Sequence, residues 1–236
     1  MDKKENDNFD EFASDYRDVH TKNVEGLTGK NSEYFSEYKI KEIATYFDTD
    51  SDISILDLGC GDGISSKFFV SEFKHCSYSG IDISEESVKI AKEKYNSVKN
   101  ASFSVYDGEI IPFEENSFDL VFIACVMHHI STNNHANIIN ECKRVLKKNG
   151  KLIIFEHNPY NPLTLKAVNT CPFDKDAVLM KAKYLKKLCL SCGLSDISAR
   201  YTIFFPRVGI LEKMTPIEKH LFWFPIGGQY YVIAKK

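Results

Sequence analysis

The sequence predicts an α/β protein with a mostly parallel sheet and helices on both faces, and three observations carry that reading. From residue 53 onward, short apolar runs alternate with amphipathic helical patterns, as in chained strand–helix–strand units. The runs are apolar at consecutive rather than alternate positions, as strands covered on both faces are. The first run leads directly into a loop with glycine at alternate positions, Gly59, Gly61 and Gly63, in ISILDLGCGDGISSKFF. Glycine there lets the backbone come very close to a ligand.

Residues 1 to about 50 read as helices that form a cap on the sheet. Phe9, Phe12, Ala13 and Tyr16 recur at helical spacing, and Tyr34, Phe35, Tyr38, Ile43 and Phe47 do so with more scatter. Between them GLTGK, Gly26 to Lys30, has too few residues between its glycines for a phosphate loop and no preceding strand. The core then runs ISILDLG, SSKFFVSEF, CSYSGIDI, SEESVKIAKEKY, ASFSVYD, FDLVFIACV, NNHANIINECKRVL and KLIIFEH, strand and helix by turns. After Glu156 the prolines at 159, 162 and 172 bracket a loop region. A helix (MKAKYLKKLCLSCG), a strand (SARYTIFF), an aromatic stretch and a last strand (QYYVIAKK) follow. No regular helical crossover joins the last two strands, which suits an antiparallel pair. The chain is expected to form a single domain: cap at 1–50, ligand-binding core at 51–157, and substrate-side loop and strands at 158–236.

A net charge of −3 over 236 residues gives no electrostatic reason to expect a nucleic-acid backbone or an anionic membrane as partner. MDKKENDNFDEF lacks the apolar core of a signal peptide, and no run approaches the length of a membrane span, so a cytoplasmic location is expected. The seven cysteines are scattered and mostly sit in apolar patterns, which suits reduced packing residues. Cys189 and Cys192 form a CxxC, but at the end of an amphipathic helix with no second pair.

In an open α/β sheet, an acidic residue ending the second strand takes ribose hydroxyls. Asp82, in YSGIDIS, stands there, so a nucleoside is expected. The dinucleotide fingerprint needs a third glycine at position 64, which is Ile64. That disfavours a nucleotide-dependent oxidoreductase. Asp57 and Asp62 around the loop suit a ligand carrying positive charge better than a pyrophosphate. DLGCGDG, then GIDIS, then VYDGEIIPFEENSFDLVFIACVMHHI, in that order and spacing over residues 53 to 157, resembles a class I S-adenosylmethionine-dependent methyltransferase.

The resemblance implies a Rossmann-like seven-stranded sheet with an antiparallel last strand. It places Asp57, Gly59, Cys60 and Gly61 beside the methionine part of S-adenosylmethionine, Asp82 on the ribose diol and Ile83 against adenine. Asp107, with Gly108 beside it, is implied on the adenine amino group, although Asp107 also suits a turn cap. Tyr16 looks like the tyrosine that many relatives place over the cofactor, where an aromatic ring near a sulfonium is favourable; it also suits core packing. Met127, His128 and His129 fall where the family lines the methyl site. His129 or His128 is the candidate general base, with a scaffold role as the alternative. A shared metal is not expected, because neighbours on a helix point apart. The Asn-Pro-Pro-Tyr type motif of enzymes that methylate nucleobase amino groups is replaced after strand four by ACVMHH, which argues against nucleic acid. Phe204, Phe205, Phe222, Trp223 and Phe224 suggest a partly apolar acceptor cavity. The function expected is methyl transfer to a small molecule, more at oxygen than at nitrogen or carbon. The alternative is a noncatalytic cofactor-binding sensor or partner subunit.

Overall fold

The computed structural model describes residue 10, residues 16–174 and residues 176–236. In chain order the elements are α1 (Tyr16–Thr28), α2 (Ser32–Ala44), β1 (Asp52–Leu58), α3 (Ser65–Glu72), β2 (His75–Asp82) and α4 (Glu85–Lys94). Then come β3 (Ala101–Val105), β4 (Phe118–Ala124), a 3₁₀ turn (Met127–His129), α5 (His135–Val145), β5 (Leu146–His157), α6 (Pro162–Thr170) and a second 3₁₀ turn (Pro172–Asp174). The chain ends with α7 (Ala182–Ser191), β6 (Ser195–Thr202), α8 (Gly209–Glu212), a third 3₁₀ turn (Thr215–His220) and β7 (Gln229–Lys235).

The seven strands form one sheet in the order β3-β2-β1-β4-β5-β7-β6. The first five are parallel, and β7 runs antiparallel to both β5 and β6. Successive side chains of a strand point to opposite faces, so a strand buried on both must be apolar throughout. In β4, Leu120 and Phe122 pack with Ile40 and Ile43 of α2 and Phe69 of α3, while Val121 and Ile123 pack with Ile138 of α5 and Leu185 of α7. β1, β5 and β7 divide their residues between the same two clusters.

Two boundaries differ from the sequence reading. β5 begins at Leu146, which the helical pattern had absorbed, because Leu146 already pairs with Phe118. β6 ends at Thr202 rather than running on to Phe205, since Ile203 takes a positive φ of 61°. A β-branched residue rarely adopts that conformation, and its cost marks a point the tertiary structure insists on. Ile203 and Phe204 turn there to line the central cavity.

GLTGK ends α1 rather than holding a phosphate. Gly29 has φ +76°, and a Cβ on it would lie 2.3 Å from Val208 Cγ1. That contact brings the segment after β6 onto the cap, and a buried ion pair fixes it. Arg207 donates its backbone N–H to the Thr28 carbonyl (2.6 Å) and its Nε–H to the Tyr34 hydroxyl (2.8 Å). Its guanidinium meets both oxygens of Glu218 (2.6 and 2.9 Å), and Glu218 also accepts the N–H groups of Phe204 and Phe205. All seven cysteines are free thiols, including the CxxC pair.

Removing one partner of a buried, hydrogen-bonded ion pair leaves an uncompensated charge, at a cost of about 3–5 kcal/mol. Glu218→Ala is therefore expected to lower the unfolding free energy by about 3 kcal/mol in a urea titration, the low end because the pair lies under surface segments. A loss no larger than that of an exposed ion pair, below about 1 kcal/mol, contradicts the strut.

Candidate active site

A cavity of about 280 Å³ opens where β1 and β4 lie side by side, beyond their carboxyl ends. At one end it is lined by Asp57, Gly59, Cys60 and Gly61 of the glycine loop, with Asp82 and Ile83 after β2. The turn after β4 supplies Cys125, His128 and His129 at the other end. The cap and the α6 segment complete the walls.

The three glycines do different work. Gly59 (φ +77°) would carry a Cβ 2.4 Å from Val126 Cγ2, and Gly63 (φ +78°) one 2.8 Å from both Ala91 and Phe103. These two are small because protein packs on them, not because a ligand does. Only Gly61 (φ +52°) has nothing within 4 Å, so of the three it alone leaves room for close approach. The loop is pinned from below: Gly59 and Cys60 donate to the Ile81 carbonyl, and Gly61 donates to Asp82 Oδ2 at 2.8 Å.

Asp82 also accepts from the Ser84 N–H through Oδ1 (3.0 Å), so its carboxylate joins the glycine loop to the start of α4. Burial raises its pKa, opposed by these backbone donors. Asp57 is 1% exposed and accepts a 2.6 Å hydrogen bond from the Tyr78 hydroxyl. Burial nevertheless pushes its carboxyl up to about 7, the Tyr78 bond pulling the other way and the Asp82 charge adding to the rise. Two desolvated acids at one end of a cavity favour a cationic ligand.

Asp107 and Gly108 do not line the cavity. Asp107 Oδ1 accepts the N–H groups of Glu109 (2.8 Å) and Ile110 (2.9 Å), which makes it a turn cap, and these donors hold its pKa low. Its neighbour Tyr106 lines the cavity instead. α1 begins at Tyr16, but the Tyr16 side chain lies outside the described residues. Of the five aromatics expected around the acceptor, Phe204 lines the cavity, whereas Phe205, Phe222, Trp223 and Phe224 do not. Trp223 is 65% exposed.

The histidines are arranged in a way that the spacing rule for helices does not anticipate. The 3₁₀ turn brings the rings of His128 and His129 to 4.1 Å between centroids, and the Nε2 of each lies 3.5 Å from Asp174 Oδ1. The expectation that the neighbours point apart is therefore corrected: the turn is too short and too tight for α-helical geometry. His128 Nδ1 is 2.6 Å from Glu156 Oε2, and Glu156 Oε1 accepts the Met127 N–H at 2.9 Å. Burial alone would lower the pKa of His128, but Glu156 and Asp174 outweigh it and hold the ring well above the ordinary value. Burial and the His128 charge take His129 down to about 4, and His157 likewise. Glu156 and Asp174 thus favour positive charge at His128, whereas burial favours the neutral ring of His129.

Sequence reasoning missed Lys39, Glu156 and Asp174. Lys39 stands four residues after Phe35 and four before Ile43, on the buried face of α2, and Glu156 interrupts an apolar strand; both were readable signals. Asp174 gave none.

A methyltransferase-domain family model matches residues 56–154. An uncharacterized protein of Methanocaldococcus jannaschii is 33% identical over 156 residues, 63% of this chain and 68% of that protein. A highly reducing polyketide synthase of Aspergillus sclerotiorum is 30% identical over 166 residues, 66% of this chain but only 6% of the synthase's length. Among solved structures, a SAM-dependent methyltransferase from Archaeoglobus fulgidus superposes with a TM-score of 0.65 at 18% identity, over 87% of this chain and 95% of that one.

Because the folded protein holds Asp57 protonated more readily than the unfolded chain does, that contribution to stability is present below the ordinary carboxylate pKa of 3.8 and lost as pH rises through about 7. Asp57→Asn, neutral at every pH, is therefore expected to gain on the ligand-free wild type as pH rises, the gap in stability widening by about 2 kcal/mol between pH 5.5 and pH 8, several degrees in Tm. An equal gap at both pH values contradicts a titrating Asp57.

Proposed function

The chain belongs to the class I S-adenosylmethionine-dependent methyltransferases, and on that premise we propose that it transfers the cofactor's methyl group to a hydroxyl group of a small molecule. The observation that supports this reading is one cavity that joins Gly61 and Asp82, at the cofactor end, to His128, His129 and Asp174 at the other. Asp57 and Asp82 suit the cofactor's cationic methionine part and its ribose. The histidine and carboxylate end suits a polar acceptor atom, while Leu163, Ala167 and Phe204 offer apolar contact to the rest of the molecule.

In-line displacement at the sulfonium needs the acceptor atom, the methyl carbon and the sulfur aligned, and positioning of that kind is worth up to about 7–11 kcal/mol. His128, locked by Glu156, acts as a positioning residue that sets the turn, and His129 meets the acceptor. The α1–α2 cap acts as a lid over the cofactor. The domain works as one unit, with residues 1–50 as cap, 51–157 as cofactor core and 158–236 on the acceptor side. No helix among the described residues is long and apolar enough to cross a membrane, which suits an acceptor taken from solution.

Cofactor recognition is read by calorimetry with S-adenosylhomocysteine. Asp82→Ala is expected to weaken binding by about 1.5–3 kcal/mol, the range for hydrogen bonds to a charged group. Acceptor chemistry is read with methyl-labelled S-adenosylmethionine and a panel of phenols, alcohols, amines and carbon acids. The product is expected to carry its label in the methoxy region of the carbon spectrum. Label on nitrogen or carbon overturns the hydroxyl assignment. Tight cofactor binding with no transfer to any acceptor favours a cofactor sensor.

A further inference from the structure

We propose that His128, His129 and Asp174 form a binding site for a single divalent transition-metal ion on the wall of the cavity. The ligand atoms are the Nε2 of each histidine and Asp174 Oδ1, and all three lie within 4.8 Å of one another. Both imidazole nitrogens stand 3.5 Å from the same carboxylate oxygen. That separation is long for a hydrogen bond, whose usual range ends near 3.2 Å. It is the separation of two ligands on one ion: atoms about 2.1 Å from a zinc-sized cation, at the tetrahedral angle, stand about 3.4 Å apart.

A second observation points the same way. His128 is 2% exposed, and its Nε2 has no hydrogen-bond partner among the described residues although it faces the other two ligand atoms. Buried polar atoms of native proteins are seldom left unsatisfied, and a bound ion is one of the standing explanations. His128 Nδ1 is already committed to Glu156, which fixes Nε2 as the atom presented to the site. A histidine ligand whose far nitrogen is held by a buried carboxylate is the usual outer-shell arrangement around metals, because it sets ring orientation and raises ligand basicity. The Met127 N–H in turn holds Glu156, and the His128 carbonyl accepts the Val178 N–H at 2.9 Å, tying the turn to the chain just beyond Asp174.

Two imidazoles and a carboxylate suit zinc, iron, cobalt or manganese rather than calcium or magnesium, which prefer all-oxygen sets. Three protein ligands leave a position open, as catalytic metal sites do. All three residues line the cavity, so the open position faces the space in which the acceptor would sit. The use of the ion as a Lewis acid on an acceptor oxygen rests on the hydroxyl reading above; the existence of the site does not.

The test needs no acceptor. Full-length protein, freed of metal by chelator and kept reduced, is titrated with Co²⁺ and followed by visible absorption. Ligand-field bands that saturate at one equivalent are expected. His129→Ala and Asp174→Ala should each weaken cobalt binding at least about 100-fold, and Glu156→Gln about 10–100-fold, the range for outer-shell partners. S-adenosylhomocysteine binding, measured on every variant, reports that the fold is retained. Absence of bands in the wild type, bands that persist in both ligand variants, or a thiolate-to-cobalt charge-transfer band each overturns the site. Transfer to nitrogen or carbon in the labelling experiment ends the hydroxyl reading and leaves the cobalt result intact.

Discussion

β1 and β4 are neighbours in the sheet, but the chain leaves them toward opposite faces, and every functional feature depends on that divergence. After β1 the chain enters α3, which packs with α2 on one face; after β4 it reaches α5, on the other. Each departure clears the space above the strand ends, and a crevice opens at the reversal of strand order. The glycine loop and the turn carrying His128 and His129 face each other across it because β1 and β4 deliver them there. The fit is tight enough that Val126, after β4, leaves no room for a Cβ on Gly59, after β1.

Two pairs of carboxylates divide the cavity electrostatically. Asp57 is buried and Asp82 half-buried, no cationic side chain among the described residues hydrogen-bonds to either, and desolvation lifts the pKa of each. Glu156 and Asp174 are buried against histidines, which hold both of them below the ordinary carboxylate range. The first pair is an energetic liability in the ligand-free protein that a cationic ligand relieves. The second pair is already balanced and gives fixed geometry. A protein that carries uncompensated acids at one end needs its stability from elsewhere, and the apolar clusters on both faces of the sheet provide it.

The cap is not an appendage held by apolar contact alone. Asn23 donates to the Ala167 carbonyl of α6 (2.8 Å), and Arg207 and Glu218 lock the segment after β6 to α1 and α2. Ile203 accepts an unfavourable φ so that the chain can leave β6, line the cavity and reach that strut. Local backbone cost is thus offset by a buried, multiply hydrogen-bonded ion pair a few residues on.

The sequence by itself determined the sheet, the glycine loop and Asp82, because these rest on local signals: unbroken apolar strands, glycine spacing, and an acid at a strand end. It also made the last strand pair legible, since no helical crossover lay between them. What the tertiary structure alone decided is which of those residues meet. Asp107, a plausible ligand by position, caps its own turn, and Trp223, a plausible pocket wall, faces outward. Asp174 joins two histidines from a distant turn with no sequence cue, since a lone acid in a loop has no periodicity to betray it. The two histidines converge because a 3₁₀ turn, imposed by the Glu156 contacts and the end of β4, replaces the helix their neighbours would suggest. Periodicity reports which face of an element is buried; only packing of separate elements brings side chains from different parts of the chain to within bonding distance.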